Sequence, residues 1–233
     1  MVKIFIGTEE AQWLPTQVLR HSVLRRTKSP VEFTDLINLP IQLNLRMYTG
    51  FSFYRFYIPE ACNYTGRAIY LDADIIVLDD IQKLNDLDMG GKNALARRDE
   101  EAVNEYFTSV MLLDCEKLKH WKIKNWSALI NAGMGNYEGT MIGSPRGLNA
   151  NDFGPLPPLW NRLDNWTEGT LALHYTTVPT QPWKVPGHRY ANLFLTELKS
   201  ALDEKFLTKA DVEREIQKGF IYPKILADVE NLR

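Results

Sequence analysis

Residues 67–78 read Arg-Ala-Ile-Tyr-Leu-Asp-Ala-Asp-Ile-Ile-Val-Leu. The apolar run up to Leu71 predicts a buried strand, which delivers Asp72 and Asp74 just beyond its carboxyl end. Ligands gather beyond the carboxyl ends of the strands in open α/β sheets. Two carboxylates separated by one residue supply hard oxygen ligands for a divalent cation, and such a cation can bind a pyrophosphate. The pattern therefore predicts a strand that ends at a metal site.

Strands and helices are predicted to alternate on both sides of these residues. An apolar run covers residues 2–6, and apolar residues then recur at helical spacing from Trp13 to Leu24. Further strands are predicted at 31–37, 75–78, 94–96 and 110–113, and a buried aromatic helix at 51–58. Because helices alternate with strands, we expect an α/β fold with a mainly parallel central sheet flanked by helices.

The second half of the chain contains a segment rich in Gly, Pro and Asn and then two helical patterns. The segment from Gly133 to Pro158 predicts loop or lid structure. Apolar residues recur at helical spacing in 190–207 and 208–220, where Thr208 and Asp211 predict a capping box. Since no linker divides the chain, we expect a single domain over residues 1–233, with a core of about 2–190 and closing helices in about 190–233.

The composition excludes several classes of protein. A length of 233 residues, with 45% hydrophobic and 24% charged residues, is typical of a globular protein. The net charge of −2 comes from interspersed acidic and basic residues, so we expect no nucleic-acid partner. The apolar runs fall far short of the roughly 18 residues that span a bilayer. The first residues show no signal-peptide pattern, and Cys62 and Cys115 are predicted to be reduced thiols, so we expect a cytoplasmic protein that is not transmembrane.

Residues 67–78 resemble family 8 glycosyltransferases, which include glycogenin and bacterial lipooligosaccharide galactosyltransferases. The aromatic segment with Arg55 and the opening residues 4–9 are similar to family segments, the second to its nucleotide-binding strand and loop. Residues 107–114 are similar to a segment that usually reads Asn-Ser-Gly, although Thr108 replaces the Asn and Val110 the Gly. The resemblance implies a GT-A-type, Rossmann-like domain. It also implies a set of donor-binding residues: Gly7, Thr8, Glu9, Arg55, Asp72, Ala73, Asp74 and Ser109.

A later stretch resembles the family's His motif, which ends in Lys-Pro-Trp. Here residues 173–176 read Leu-His-Tyr-Thr, and Gln181 precedes Pro-Trp. The resemblance implies that His174 completes a metal site with Asp72 and Asp74. Imidazole suits a transition metal better than Mg²⁺, so we expect Mn²⁺, with Mg²⁺ as the alternative.

The chain departs from the family at the residue before Pro-Trp. Gln181 can donate a hydrogen bond to phosphate but carries no charge. The family's cation at the diphosphate is therefore either lost or supplied by Lys184 or Arg189, and of these we expect Lys184.

The family's Asp-Gln pair near the sugar has no counterpart in this sequence. Asp164 and Glu138 are candidate replacements, and Asp99 follows a predicted strand that the family uses to present a sugar-contacting Asp. The predicted catalytic residues are therefore Asp99, Asp164 and Gln181.

These observations predict a metal-dependent glycosyltransferase with a nucleotide-sugar donor. The resemblance implies retention of the anomeric configuration and a UDP-sugar, while the acceptor and the oligomeric state stay undefined. One alternative is a protein that binds nucleotide or carbohydrate without turnover, which the altered Gln181 would suit. Another is a haloacid-dehalogenase-like phosphatase, which also has an Asp-x-Asp motif directly after a strand. In those phosphatases a Thr or Val stands two residues after the motif, where this chain has Ile76.

Overall fold

The computed structural model describes residues 1–233 except Gln42, Asn44, Val103 and Arg233. Its strands are β1 (Val2–Gly7), β2 (Val31–Leu36), β3 (Arg67–Asp72), β4 (Ile75–Val77), β5 (Ala94–Arg98), β6 (Tyr106–Asp114), β7 (Phe153–Leu156), β8 (Arg162–Leu163) and β9 (Ala172–His174). Its α-helices are α1 (Trp13–Leu24), α2 (Ile58–Ala61), α3 (Ile81–Asn85), α4 (Ile123–Asn131), α5 (Tyr137–Met141), α6 (Ala191–Asp203), α7 (Lys209–Gln217) and α8 (Ile225–Glu230).

The chain forms two compact units, each built from three segments. The first contains Met1–Glu9, Ser29–Asp72 and Gln82–Asn161, and the second contains Glu10–Lys28, Ala73–Ile81 and Arg162–Arg233. The single folding domain expected from the sequence stays a prediction.

A six-stranded sheet in the order β2-β1-β3-β6-β5-β7 organises the first unit. The pairs β1–β2, β1–β3 and β5–β7 are parallel, whereas β6 runs antiparallel to both β3 and β5. The predicted α/β fold with a mainly parallel sheet is confirmed. The register pairs Gly7 with Asp72 and Leu71 with Val110. Asp72 is therefore the last residue of the central strand β3, at the end of the sheet where β1 also ends, and it lies beside β6.

The aromatic segment expected to form a buried helix does so, as a 3-10 helix at Ser52–Tyr57 that continues into α2. Phe56 packs in the first unit's core, with ring centroids 5.2 Å from Trp121 and 5.5 Å from Trp126. This packing holds the short helix against the sheet and leaves Arg55, one residue earlier, buried beside β3.

The irregular segment expected at 133–158 instead contains α5 and the edge strand β7. Gly147 in this segment serves close packing, since a Cβ there would lie 2.3 Å from the carbonyl oxygen of Gly139. Glycine is therefore needed where two backbones meet, and composition alone did not distinguish this use from a flexible loop.

The second unit pairs a small sheet with four helices. The sheet order is β4-β9-β8, with β4 antiparallel and β8 parallel to β9. Helices α1, α6, α7 and α8 contribute apolar residues to one core around the buried Trp183. The predicted capping box is present, because Thr208 and Asp211 each accept a hydrogen bond from the other's backbone N–H. The register pairs His174 with Ile75 and Leu163, which places His174 at the end of this sheet.

A buried charged cluster joins α1 to α6 within the second unit. One carboxylate oxygen of Glu197 lies 2.6 Å from His21 Nδ1, and the other lies 2.8 Å from Arg26 Nη1. The side chains of His21 and Glu197 are both buried, since each residue is only 2% exposed. Removing one partner of a buried charged pair costs about 3–5 kcal/mol, because the other partner is left buried and uncompensated.

We therefore expect Glu197→Ala to lower the free energy of unfolding by about 3–5 kcal/mol, measured by urea denaturation. The matched control is Glu213→Ala on the exposed face of α7, expected to change it by less than about 0.5 kcal/mol. Equal effects of the two substitutions would show that the cluster does not stabilise the unit.

Candidate metal and donor site

Asp72 is held by two donors of the first unit. Its Oδ1 atom accepts a hydrogen bond from Arg55 Nη2 at 3.1 Å and another from the Tyr70 hydroxyl. Arg55 is 5% exposed and also donates to the carbonyl oxygens of Ser52 and Thr108, both at 2.8 Å. Its guanidinium lies 4.5 Å from the centre of the Tyr70 ring. Arg55 therefore orients Asp72, and its direct contact with a donor stays a prediction.

Gly7 leaves room for the Tyr70 hydroxyl. A Cβ at this position would lie 2.2 Å from that oxygen and 3.0 Å from Phe51 Cδ2. Gly7 is also the register partner of Asp72 on the neighbouring strand. The glycine that the sequence assigned to the nucleotide loop thus permits the contact between Tyr70 and Asp72.

If Asp72 is a metal ligand as predicted, we expect Gly7→Ala to weaken Mn²⁺ binding by about 10- to 100-fold, because displacing Tyr70 removes a partner that orients Asp72. Isothermal titration with Mn²⁺ measures this. Gly50→Ala is the matched control, since a Cβ at Gly50 meets no atom within 4 Å and its affinity should equal that of the parent. Tyr70→Phe, which removes only the hydroxyl, should resemble Gly7→Ala; unchanged affinity in both would contradict this account.

Asp74 and His174 meet in the second unit. Asp74 Oδ1 lies 3.0 Å from His174 Nε2, and each side chain is about nine-tenths buried. Among the described residues, this oxygen accepts no hydrogen bond, so the short contact lacks hydrogen-bond geometry. Neighbouring ligands in an octahedron with metal–ligand distances of about 2.1 Å lie about 3.0 Å apart. The pair therefore has the spacing of two atoms that face one cation.

Asp72 and Asp74 flank Ala73 in the turn that links β3 to β4. One ligand atom from each of Asp72, Asp74 and His174 lies within 4.8 Å of the other two. Two carboxylates and an imidazole form a mixed oxygen and nitrogen donor set, which suits divalent transition metals. The three residues predicted as metal ligands form a group that could hold a metal ion.

Gln181 fixes the carboxylate of Asp74. Its Nε2 atom donates to Asp74 Oδ2 at 2.9 Å and to the carbonyl oxygen of Tyr175 at 2.8 Å, and the side chain is 1% exposed. An amide nitrogen carries two hydrogens, and both are used in these bonds. Gln181 therefore positions Asp74, a predicted metal ligand, and its own catalytic role stays a prediction.

Ser109 lies in a buried polar network of the first unit. Asn161 Nδ2 donates to Ser109 Oγ at 2.9 Å, and the Asn161 carbonyl oxygen accepts from Arg97 Nη1 at 2.8 Å. Asn161 is fully buried, and it was not predicted from the sequence because a single Asn in a turn carries no pattern.

The predicted nucleotide loop contains Thr8 and Glu9. The side chain of Thr8 is buried, and that of Glu9 is exposed.

The two predicted catalytic aspartates stabilise turns. Asp99 Oδ1 accepts from the backbone N–H of Glu101 at 2.9 Å. Asp164 Oδ2 accepts hydrogen bonds from Thr176 Oγ1 at 2.7 Å and from the backbone N–H of Thr177 at 2.9 Å. Burial raises the pKa of Asp164, but these hydrogen bonds outweigh it, so the pKa lies below its ordinary value. Contacts of either aspartate with a sugar stay predictions.

Lys184 borders a cavity of about 500 Å³ in the second unit, together with Ala11, Phe220 and Tyr222. Its backbone N–H donates to the carbonyl oxygen of Gln181 at 2.8 Å. The contact of the Lys184 ammonium group with a diphosphate stays a prediction.

Ala73, which was predicted to bind the donor, lies between Asp72 and Asp74 and is buried.

Comparison of the sequence with known proteins identifies a matching family and a similar protein. The model of the family described as Glycosyl transferase family 8 matches residues 11–136, which contain Arg55, Asp72 and Asp74. Protein CDI from Arabidopsis thaliana is 26% identical over 228 residues, covering 84% of this chain and 86% of that protein.

Two solved structures are similar in fold. The galactosyltransferase LgtC, in complex with donor and acceptor sugar analogues, has a TM-score of 0.65 at 17% identity, over 85% of this chain and 96% of its own. The glycosyltransferase GlyE of Streptococcus pneumoniae TIGR4 has a TM-score of 0.66 at 17% identity, over 95% of this chain and 64% of its own. These similarities confirm the predicted GT-A-type fold.

Within the described residues, no helix is both long and apolar enough to cross a membrane.

Proposed function

Because this chain belongs to glycosyl transferase family 8, we propose that it is a metal-dependent enzyme that transfers a sugar from a UDP-sugar to an acceptor with retention of configuration. The enzyme class follows from the family. Metal dependence is supported above all by one observation: Asp74 Oδ1 and His174 Nε2 face each other at 3.0 Å, with Asp72 two residues from Asp74.

The residues around the metal ligands support a site organised before the donor arrives. Arg55 and the Tyr70 hydroxyl hold Asp72, and Gln181 holds Asp74. Ligands fixed by such partners need little rearrangement on binding. A divalent cation bound there, Mn²⁺ in our proposal, would stabilise the negative charge that develops on the leaving diphosphate. The protein's part is to hold these ligands and so orient the diphosphate.

The donor assignment extends the family resemblance. We assign Gly7, Thr8 and Glu9 to the nucleoside and Ser109 and Lys184 to the rest of the donor. Asp99 and Asp164 are assigned to the sugar. Uracil as the base and retention as the stereochemical outcome also rest on the resemblance.

A second function, binding of a donor without turnover, is favoured by Gln181 alone. Both of its amide hydrogens are occupied by Asp74 and Tyr175, so it contributes no donor to a diphosphate leaving group.

Membership of the glycosyl transferase family removes the alternative of a haloacid-dehalogenase-like phosphatase.

Release of UDP from a panel of UDP-sugars, with and without Mn²⁺, tests the proposal. A transferase is expected to release UDP slowly with water as the acceptor, and only when the metal is present. A protein that binds without turnover would be stabilised against heat by UDP and Mn²⁺ but would release none, and that result would overturn the proposed activity.

We also propose a cytoplasmic location. Cys62 and Cys115 are both buried and are not joined by a disulfide. Free thiols are typical of proteins in a reducing compartment.

A further inference from the structure

The only two cysteines of the chain lie side by side in the core of the first unit. Cys62 and Cys115 belong to one cluster of buried residues, at 4% and 0% exposure. Their thiols are hydrogen-bonded to each other. A disulfide forms only where the main chain already brings two cysteines close together, and this pair meets that condition.

A short turn between α2 and β3 holds the main chain of both cysteines. Cys62 directly follows α2, and its carbonyl oxygen accepts hydrogen bonds from the backbone N–H of Thr65 at 3.1 Å and from Thr65 Oγ1 at 2.8 Å. The next residue of the turn, Gly66, accepts at its carbonyl oxygen from the backbone N–H of Cys115 at 2.9 Å. Both cysteines are therefore tied to the same four residues of chain, 63–66.

The two thiols differ in which of them carries negative charge. The hydrogen bond from the Cys115 thiol lowers the pKa of Cys62 against the opposing effect of burial, and the nearby Lys3 lowers it further. The same hydrogen bond, together with burial, raises the pKa of Cys115 far above its ordinary value. The thiolate is the form of cysteine that attacks an oxidant, so Cys62 is the nucleophile of the pair.

Cys62 is also the cysteine that lies closer to solvent. Its neighbours in the chain, Ala61 and Asn63, are both exposed, whereas Cys115 has no exposed surface. Cysteines that respond to oxidants combine a lowered pKa with a second cysteine close enough to complete a disulfide. Cys62 has both of these properties.

We propose that Cys62 and Cys115 form a reversible disulfide when the protein meets hydrogen peroxide. The Cys62 thiolate attacks one peroxide oxygen, so that the O–O bond breaks, hydroxide departs and Cys62 becomes a sulfenic acid. The Cys115 sulfur then attacks the Cys62 sulfur, and a second hydroxide departs as the S–O bond breaks and the S–S bond forms. The two protons of the original thiols convert both hydroxides to water. One peroxide is thus reduced by the two electrons that the thiols lose.

The disulfide would act as a redox-controlled cross-link in the first unit. It joins the end of α2 to the end of β6 and closes a loop of about 50 residues, which restricts the unfolded chain. In a reducing compartment such a disulfide is transient and reports exposure to an oxidant. Neither cysteine belongs to the candidate metal group, so the cross-link would form whether or not the chain transfers a sugar.

Counting the free thiols of the full chain before and after peroxide tests this proposal. The native protein is treated with hydrogen peroxide, unfolded in urea with N-ethylmaleimide, and analysed by mass spectrometry. Untreated protein should take up two labels and treated protein none, with both cysteines in one cross-linked peptide of the same chain. Dithiothreitol should restore both labels. The thermal midpoint of the oxidised protein should rise by about 5 °C or more over that of the reduced protein.

Cys115→Ser and Cys62→Ser separate the roles of the two thiols. In Cys115→Ser, peroxide should leave a sulfenic acid at Cys62 that dimedone traps, and the thermal midpoint should not rise. In Cys62→Ser, Cys115 should keep its label after the same treatment. Two labels on the treated parent protein, or oxidation of its thiols without an S–S bond between them, would overturn the proposal, whether or not either variant folds.

Discussion

Asp74→Ala is expected to lower metal-dependent UDP release by at least 10²–10³-fold, on the order of the loss seen when one group that stabilises transition-state charge is removed. Asp74 Oδ1 is the oxygen that faces His174 Nε2. Among the described residues, the only other carboxylate in this candidate metal group belongs to Asp72. The main chain of the turn should keep its conformation, because the backbone carbonyl of Asp74 still accepts from the N–H of Tyr175 at 2.9 Å.

The stability of this variant separates a chemical loss from a folding loss. Removing the carboxylate leaves one amide hydrogen of the buried Gln181 without a partner, which costs about 1–3 kcal/mol. The variant should therefore still unfold cooperatively at a lower urea concentration. Asp203→Ala, on the exposed end of α6, is the matched control and should retain full activity. Activity of Asp74→Ala within about twofold of the parent would remove Asp74 from the metal site.

His174→Ala is expected to weaken Mn²⁺ affinity and Mn²⁺-dependent UDP binding together, with loss of most UDP release. Two aspartates separated by one residue approach a cation from one side, so a third protein ligand is needed to fix its orientation. His174 comes from β9, about 100 residues later in the chain than the Asp72–Asp74 turn, and its substitution should leave that turn in place.

A structural histidine serves as the comparison for this substitution. His120 Nε2 lies 2.8 Å from the buried carboxylate of Asp152, within the first unit. His120→Ala should lower thermal stability equally with and without metal and leave Mn²⁺ affinity unchanged. If His174→Ala behaved in the same way, His174 would be a structural residue and the metal would need a different third ligand.

The proposed metal ligands were identifiable from the sequence because their signals are local. Asp72 and Asp74 follow a buried strand, a pattern visible within a dozen residues, and His174 lies in a short motif that resembles a family segment. The residues that hold these ligands were not predictable in the same way. Tyr70 reads as an ordinary strand residue, since nothing in its neighbourhood indicates that its hydroxyl reaches Asp72.

Gln181 shows why a departure from a family pattern is hard to interpret from sequence. Its position suggested a lost cation at the diphosphate, whereas its amide binds Asp74, which lies 107 residues earlier in the chain. Such a contact depends on how β9 and the following turn pack, and periodicity carries no information about it. The strand predicted at 110–113 is present as β6, but its antiparallel direction and the edge strand β7 escaped prediction, because strand direction and pairing depend on distant partners.

We propose that Asp72, Asp74 and His174 together hold one divalent cation. Anomalous scattering from crystals grown with Mn²⁺ and UDP tests it most directly. We expect a manganese peak at about 2.1 Å from a ligand atom of each of the three residues. A bound manganese that contacts other residues, or crystals that bind UDP without any manganese at this group, would contradict it.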